Sequence, residues 1–217
     1  MRYPSQDAGG QKYLEVGVDE SGRGTLISAV VAGAVIMPSP DQFEPGPDRD
    51  LYLSITDSKK LTSKRRELLE EFIKKHAVAW GVGVVGAAEV DEINILQAAF
   101  KAMHKALDTV VEKLESESRS RLRVLVDGNR FKPYGDIPYE CIVKGDSKVL
   151  SIAAGSILAK TEHDRIIRSL VVSDPVYAKY DLLNNMGYAT KKHIAAIKEH
   201  GLSAEHRKSF KIFFSYI

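Results

Sequence analysis

Four acidic residues stand where apolar runs stop. Asp19 and Glu20 end the stretch Tyr13–Asp19 (YLEVGVD), Asp127 ends Leu122–Val126, and Asp146 follows Tyr139–Val143 after Lys144-Gly145. In open α/β sheets sites are built at strand ends, so these four carboxylates can converge. A set of hard oxygen ligands without His or Cys suits Mg²⁺ or Mn²⁺. Two such ions ~4 Å apart can clamp the attacking and leaving oxygens of a phosphodiester. One Asp at a strand end is by itself an ordinary turn former or helix cap, and Asp146, which precedes a helical stretch, suits a cap and a metal ligand equally.

Basic residues form a second pattern. Lys59, Lys60, Lys64, Arg65 and Arg66 crowd one short segment, Lys191 and Lys192 come later, and Arg207 and Lys208 stand near the end. These three clusters could track a phosphate backbone, although a run such as Lys64–Arg66 also suits a solvated helix face. The balance of 31 Lys plus Arg against 29 Asp plus Glu gives +2, which excludes a surface that is basic throughout. Any nucleic-acid contact must be local. His163 and His193 lack metal spacing and read as surface or satisfied structural histidines. One cysteine, Cys141, permits no intramolecular disulfide and no multi-cysteine zinc site, so the expectation is an intracellular, cytoplasmic protein.

The elements that must hold these residues alternate between strand and helix. Tyr13–Asp19 and Leu26–Met37 read as strands joined across Ser21-Gly22-Arg23-Gly24. Four prolines between Pro38 and Pro47 demand a surface loop. Thr62 caps a helix over about 62–76, Ala77–Val85 returns to strand, and apolar residues recurring from Ile93 to Leu107 predict one long helix over 90–115. Strands at Leu122–Val126 and Tyr139–Val143 precede a buried helix from Ser147 to Leu170 and a shorter one from Thr190 to His200, stopped by Gly201. The expected fold is α/β: a mixed central sheet flanked by helices. The 217 residues, 44% hydrophobic, suffice for one core, and no run predicts a membrane span.

Eight short motifs then occur in order: Asp19-Glu20-Ser21-Gly22-Arg23-Gly24, Asp57-Ser58-Lys59-Lys60-Leu61, Ile93-Asn94-Ile95-Leu96, Val126-Asp127-Gly128-Asn129, Lys144-Gly145-Asp146-Ser147-Lys148, Ser156-Ile157-Leu158-Ala159-Lys160, Gly187-Tyr188-Ala189-Thr190-Lys191 and His206-Arg207-Lys208-Ser209-Phe210. The series resembles the ribonuclease HII family from about Tyr13 to Phe210. The resemblance implies a ribonuclease H-like fold with a small helical C-terminal extension, a flexible N-terminus over 1–12 and one catalytic domain over 13–217. It implies a monomeric metal-dependent endonuclease that cuts the RNA strand of RNA–DNA hybrids and single ribonucleotides embedded in duplex DNA. Two divalent ions, Mg²⁺ or Mn²⁺, would be held by Asp19, Glu20, Asp127 and Asp146. Gly22, Arg23 and Gly24 match a loop whose backbone reads the ribose 2′-hydroxyl, the one group that separates RNA from DNA locally. Tyr188 matches a tyrosine that packs on the next deoxyribose, and Lys59, Lys60 and Lys191 are candidates for phosphate contacts.

This chain departs from the family's usual pattern around the reading loop. Ser21, Thr25 and Ser28-Ala29-Val30 replace alanine, proline and glycine-proline-valine, and Ala189 replaces glycine. The type HIII enzyme is a rival reading, but the dozen residues before the first strand leave no room for its N-terminal domain, and Arg23 is present where it lacks arginine. A non-cleaving hybrid-binding module would have lost a metal carboxylate, and all four are present. The ending Phe210–Ile217 (FKIFFSYI) lacks the glutamine and spaced aliphatic residue of a sliding-clamp peptide, so packing on the core is expected instead.

Overall fold

The computed structural model describes residues 1–3 and 13–211. Five strands, β1 (Leu14–Ser21), β2 (Val30–Ile36), β3 (Ala79–Val85), β4 (Leu122–Asp127) and β5 (Tyr139–Ile142), form one sheet in the order β3-β2-β1-β4-β5. The pairs β1–β2 and β2–β3 are antiparallel, whereas β1–β4 and β4–β5 are parallel. The sheet is mixed, as the strand pattern predicts. Because Val18 pairs with Val126 in a parallel register, Asp19 and Asp127 follow side by side at the same end of the sheet. Asp127 pairs with Ile142 of β5, so the turn that carries Asp146 leaves from the same end.

Helices cover both faces. They are α1 (Pro47–Leu53), α2 (Ser63–His76), α3 (Ala87–Ile93), α4 (Ile95–Glu112), α5 (Ser116–Ser120), α6 (Leu150–Ser173), α7 (Leu182–Asn185) and α8 (Lys191–His200). One core joins α4 to Val16, Val18, Ala32, Val124 and Val126, and a second joins α2 and α6 to Val35 and Met37 on the opposite face. Val16, Val18 and every residue of β2 are buried, which explains why their sequence is nearly uninterrupted Val and Ala. A third cluster joins α7, α8 and the end of α6 to Leu26 and Ile27, which is the expected C-terminal helical extension.

Four sequence expectations need correction. The long helix expected over 90–115 is broken at Asn94, whose φ of 65° no helix tolerates and whose side chain caps α4 by accepting from the N–H groups of Leu96 and Gln97. Apolar periodicity continues through the break, so spacing alone conceals it. The strand expected over Leu26–Met37 begins only at Val30, because Ser28 is left-handed at φ 72°. The Pro38–Pro47 loop is present but leads into α1, and Phe43 and Tyr52 are buried, with the Tyr52 hydroxyl donating to the Pro38 carbonyl. Finally, part of the N-terminal segment expected to be flexible is docked: the Arg2 carbonyl accepts from Leu150 N–H at the start of α6, and Arg2 pairs with Glu15.

Helix α6 lies unusually close to the sheet. A Cβ on Gly17 would fall 2.1 Å from the Ser151 carbonyl carbon, and one on Gly33, opposite Asp19 in the ladder, 2.3 Å from the Gly155 carbonyl oxygen. Backbone meets backbone there, so neither neighbour can rotate away. Gly33→Ala is therefore expected to destabilise the fold by about 1–3 kcal/mol or more in urea melts. Gly86→Ala, where nothing lies within 4 Å of the added atom, is the control and should be close to neutral. Equal melts for the two variants would contradict direct helix-on-sheet contact.

Candidate active site

Asp19, Asp127 and Asp146 come together at this end of the sheet: each offers an oxygen, and the three lie within 4.8 Å of one another. Their positions are fixed from the backbone. Asp19 accepts from the Glu20 N–H at 2.7 Å, and Asp127 accepts from the Gly145 N–H at 2.6 Å, which ties the end of β4 to the turn that carries Asp146. Glu20 stands beside this group but is not one of the three, because its carboxylate takes the Arg23 guanidinium at 2.9 Å.

The electrostatics are those of crowded, desolvated anions. Burial, then the charges of Glu20 and Asp127, holds Asp19 well above the ordinary carboxylate range. Burial followed by Asp57 and Asp127 raises Asp146, with Lys59 opposing. Burial also raises Glu20, against the pull of Arg23. Burial pulls the Lys59 ammonium down, but Asp19, Asp146, Asp57 and Asp127 together outweigh it and hold it up. Three hard oxygen donors with so little compensating charge suit a divalent cation, which would supply what the protein leaves unbalanced.

A cleft beside the carboxylates is lined by Asp19, Glu20, Ser21, Gly22, Arg23, Gly24, Ser58, Lys59, Lys160 and Tyr188. Asp19 and Glu20, the glycine-arginine-glycine loop and Tyr188 thus share one surface. Gly22 is required twice over: its φ is 83°, and a Cβ would fall 2.5 Å from the buried ring of His163 and 2.8 Å from the Ala29 carbonyl. Thr25, where the resemblance gives proline, is buried and its hydroxyl donates to the Gly22 carbonyl at 2.9 Å, closing the turn. The loop is therefore stiffened by a different device. Ala189 does not have positive φ and fits without strain.

Of the other expected contacts, Lys59 lines the cleft from a short 3₁₀ turn, Ser58–Lys60, capped by the Asp57 side chain. Lys60 and Lys191 are exposed but do not line it. Two basic residues read as surface charges are structural instead. Arg66 is buried and paired with Asp164 at 2.8 Å, and Arg207, fully buried, donates to the carbonyls of Ser28, Thr25 and Arg23. Neither can meet a phosphate. His163 and His193 are also fully buried rather than on the surface. Lys160 is the residue that sequence reasoning passed over: its ammonium bonds Asp164 at 2.7 Å and lies 5.4 Å from the centre of the Tyr188 ring. The motif Ser156–Lys160 was the available signal for it.

Comparisons with known proteins bear on this geometry. The family model for ribonuclease HII matches residues 16–215. A ribonuclease HII of Bacteroides thetaiotaomicron is 47% identical over 199 residues, covering 92% of this chain and 90% of its own. One of Chlorobaculum parvum is 46% identical over 196 residues, covering 90% and 88%. Among solved structures, the ribonuclease H2 of Pyrococcus horikoshii superposes with a TM-score of 0.68 at 23% identity, covering 91% of this chain and 93% of that one. The Archaeoglobus fulgidus ribonuclease HII, solved in complex with PCNA, gives 0.66 at 24%, covering 89% and 92%. A Bst-RNase HIII solved with Mn²⁺ gives 0.61 at 17%, and only 63% of its chain is covered. These structures share the ribonuclease H-like fold, whereas the family model and the curated relatives separate type HII from type HIII. The chain belongs to the ribonuclease HII family and is an endoribonuclease of the kind that acts on RNA–DNA hybrids.

Proposed function

We propose that this chain also incises duplex DNA at single embedded ribonucleotides, on the 5′ side of the ribonucleotide, leaving 3′-hydroxyl and 5′-phosphate ends. The observation that carries the reading is the shared cleft: Asp19 and Glu20, the Gly22–Gly24 loop and Tyr188 line one cavity, and Asp127 and Asp146 stand beside Asp19. Asp19, Asp127 and Asp146, with Glu20 released from Arg23, would hold two Mg²⁺ or Mn²⁺ ions. Bound there, the ions would supply charge neutralisation at the phosphodiester and lower the pKa of an attacking water.

The residues of this chain do the reading. Backbone of Gly22–Gly24 takes the ribose 2′-hydroxyl, which engages that group as a recognition element and leaves it unavailable as the attacking nucleophile. Tyr188, 39% exposed, offers its ring to the sugar that follows. Lys59 and Lys160 line the same cleft and can meet phosphates, and Lys60 and Lys191 can do so at its margins. One chain completes the cleft, which supports action as a monomer. Among the described residues no helix is long and apolar enough to cross a membrane, and the single free thiol, Cys141, suits a reducing cytoplasm.

A DNA duplex with one ribonucleotide, incubated with Mg²⁺, with Mn²⁺ and with chelator, tests the proposal. Incision is expected only with metal, with 3′-hydroxyl and 5′-phosphate products. A 2′,3′-cyclic phosphate, or undiminished cutting in chelator, would contradict it.

Asp127→Asn separates catalysis from stability. Metal-ion catalysis is worth several kcal/mol and each ~1.4 kcal/mol is tenfold, so turnover should fall about a thousandfold or more. Without metal the variant should melt at or above the wild type at pH 7, because Asp127 raises both Asp19 and Asp146. The sign follows from linkage: groups held above their unfolded pKa weaken the fold as pH rises past ~4, the ordinary carboxylate value. The advantage should therefore vanish at pH 3, where Asp19 and Asp146, both held up by burial and neighbouring charge, are protonated. A large loss of stability at pH 7 would make Asp127 mainly structural.

A further inference from the structure

Two consecutive residues, His206 and Arg207, connect to the two halves of the cleft: Arg207 to the segment around the Gly22–Gly24 loop, and His206, through His193, to Tyr188. Arg207 is fully buried. Its Nε donates to the Ser28 carbonyl at 2.9 Å, and its Nη1 to the carbonyls of Thr25 at 2.9 Å and Arg23 at 3.2 Å. The Arg207 N–H adds a bond to Leu26 O, and Ser28 N–H bonds Glu205 O. The left-handed Ser28, where the family usually carries glycine, is thus held on both sides of its peptide unit.

His206 reaches the other half. A carbonyl oxygen only accepts, so the 3.0 Å contact from His193 Nδ1 to the Tyr188 carbonyl puts the His193 proton on Nδ1. His193 Nε2 must then accept, at 3.2 Å, from His206 Nε2–H. His206 Nδ1 in turn accepts from Ser203, from its N–H at 2.9 Å and its hydroxyl at 2.6 Å. Every proton in this chain is assigned, and both rings are neutral. Burial, and then the neighbouring His193, pushes His206 down to about 4, consistent with that state. The two halves also meet directly, through Leu26 N–H to Gly187 O and the Thr25–Tyr188 bridge. From outside, Asp91 anchors the segment by accepting from Lys208 N–H, Ser209 N–H and the Ser209 hydroxyl.

We propose that His206 and Arg207 are positioning residues that set the spacing between the Gly22–Gly24 loop and Tyr188, so that selectivity for a ribonucleotide–deoxyribonucleotide junction depends on a C-terminal segment that meets no substrate. This rests on the reading given above for Tyr188 and the loop. A continuous hybrid offers a 2′-hydroxyl at every nucleotide, so a displaced loop can still engage in some register. A single ribonucleotide must satisfy the loop and Tyr188 together in one register. An error in spacing therefore penalises the junction more.

The test is the ratio of kcat/KM on a one-ribonucleotide duplex to that on a continuous hybrid, with melting curves to confirm folding. Tyr188→Ala should lower the ratio about tenfold or more. Arg207→Lys, which keeps the charge but cannot span three carbonyls, should lower it about tenfold, since small displacements of a positioned group are costly. His206→Leu should act likewise, and His206→Gln, which keeps a donor and an acceptor, should restore the ratio to within about twofold. Asp91→Ala loosens the segment from a half-buried site and should give a smaller fall in the same direction, about threefold. It decides the matter, with the His206 pair, if Arg207→Lys does not fold. Folded variants that lose activity equally on both substrates, or that leave the ratio unchanged while Tyr188→Ala lowers it, would overturn this proposal alone. A Tyr188→Ala that leaves the ratio unchanged would overturn the reading of Tyr188, and this proposal with it.

Discussion

Negative charge crowded at the end of two parallel strands is the constraint on which the rest of this structure depends. Asp19 and Asp127 are forced together by the register of β1 and β4, and Asp146 is brought in by a turn hydrogen-bonded to Asp127. Desolvated like charges repel, so left to itself such a cluster would spread or protonate. The surrounding frame resists this. The backbone N–H of Glu20 and that of Gly145 each hold a carboxylate, Lys59 supplies one nearby cation, and α6 is seated against Gly17 and Gly33 with no side chain between. A stiff frame around unbalanced charge is what a metal-dependent hydrolase needs, because the ions then find their ligands already placed.

The proposed recognition cleft is built on the same helix that braces the cluster. From α6 come His163, which closes off the space beside Gly22, and Lys160, which lies over Tyr188, both held by Asp164. Burial pushes Asp164 up, but hydrogen bonds from His163 and then Lys160, with the Lys160 charge, outweigh it and hold the carboxyl at about 2. That carboxylate therefore stabilises the fold above ~4 and loses the contribution as pH falls through 2. Arg66 joins it from α2, so this buried carboxylate is paired with cations from both helices, in contrast to the uncompensated acids at the end of the sheet. On the proposed reading, discrimination and hydrolysis are thus set by neighbouring parts of one scaffold.

What could be read from the sequence was what local chemistry dictates. The strands at β1, β4 and β5 and the acids that end them were legible because an apolar run followed by Asp is a local signal. Asn94 was not, since the apolar spacing of α3 runs on into α4 across the break. Leu26–Val30 looked like continuous strand because its side chains are mostly apolar, yet the carbonyls of Leu26 and Ser28 turn toward Arg207. Arg66 and Arg207 read as surface charges because their partners lie far along the chain: Asp164 is 98 residues from Arg66, and Arg23 is 184 from Arg207. Glu20 was legible as an acid at the right place, but not its engagement by Arg23. The ending after Lys211, including most of the segment weighed as a clamp peptide, lies outside the described residues.

On the proposed reading the carboxylate cluster is a metal seat whose repulsion is relieved by the ions it binds. The most direct measurement is the melting temperature of the metal-stripped chain at pH 7, with and without saturating Mn²⁺ or Mg²⁺, for the wild type and for Asp19→Asn. A ligand at a hundred times its Kd adds about 2.7 kcal/mol, so the wild type should melt several degrees higher with metal. Asp19→Asn should show little of that rise. An unchanged wild-type melt, or the same rise in both proteins, would contradict the account.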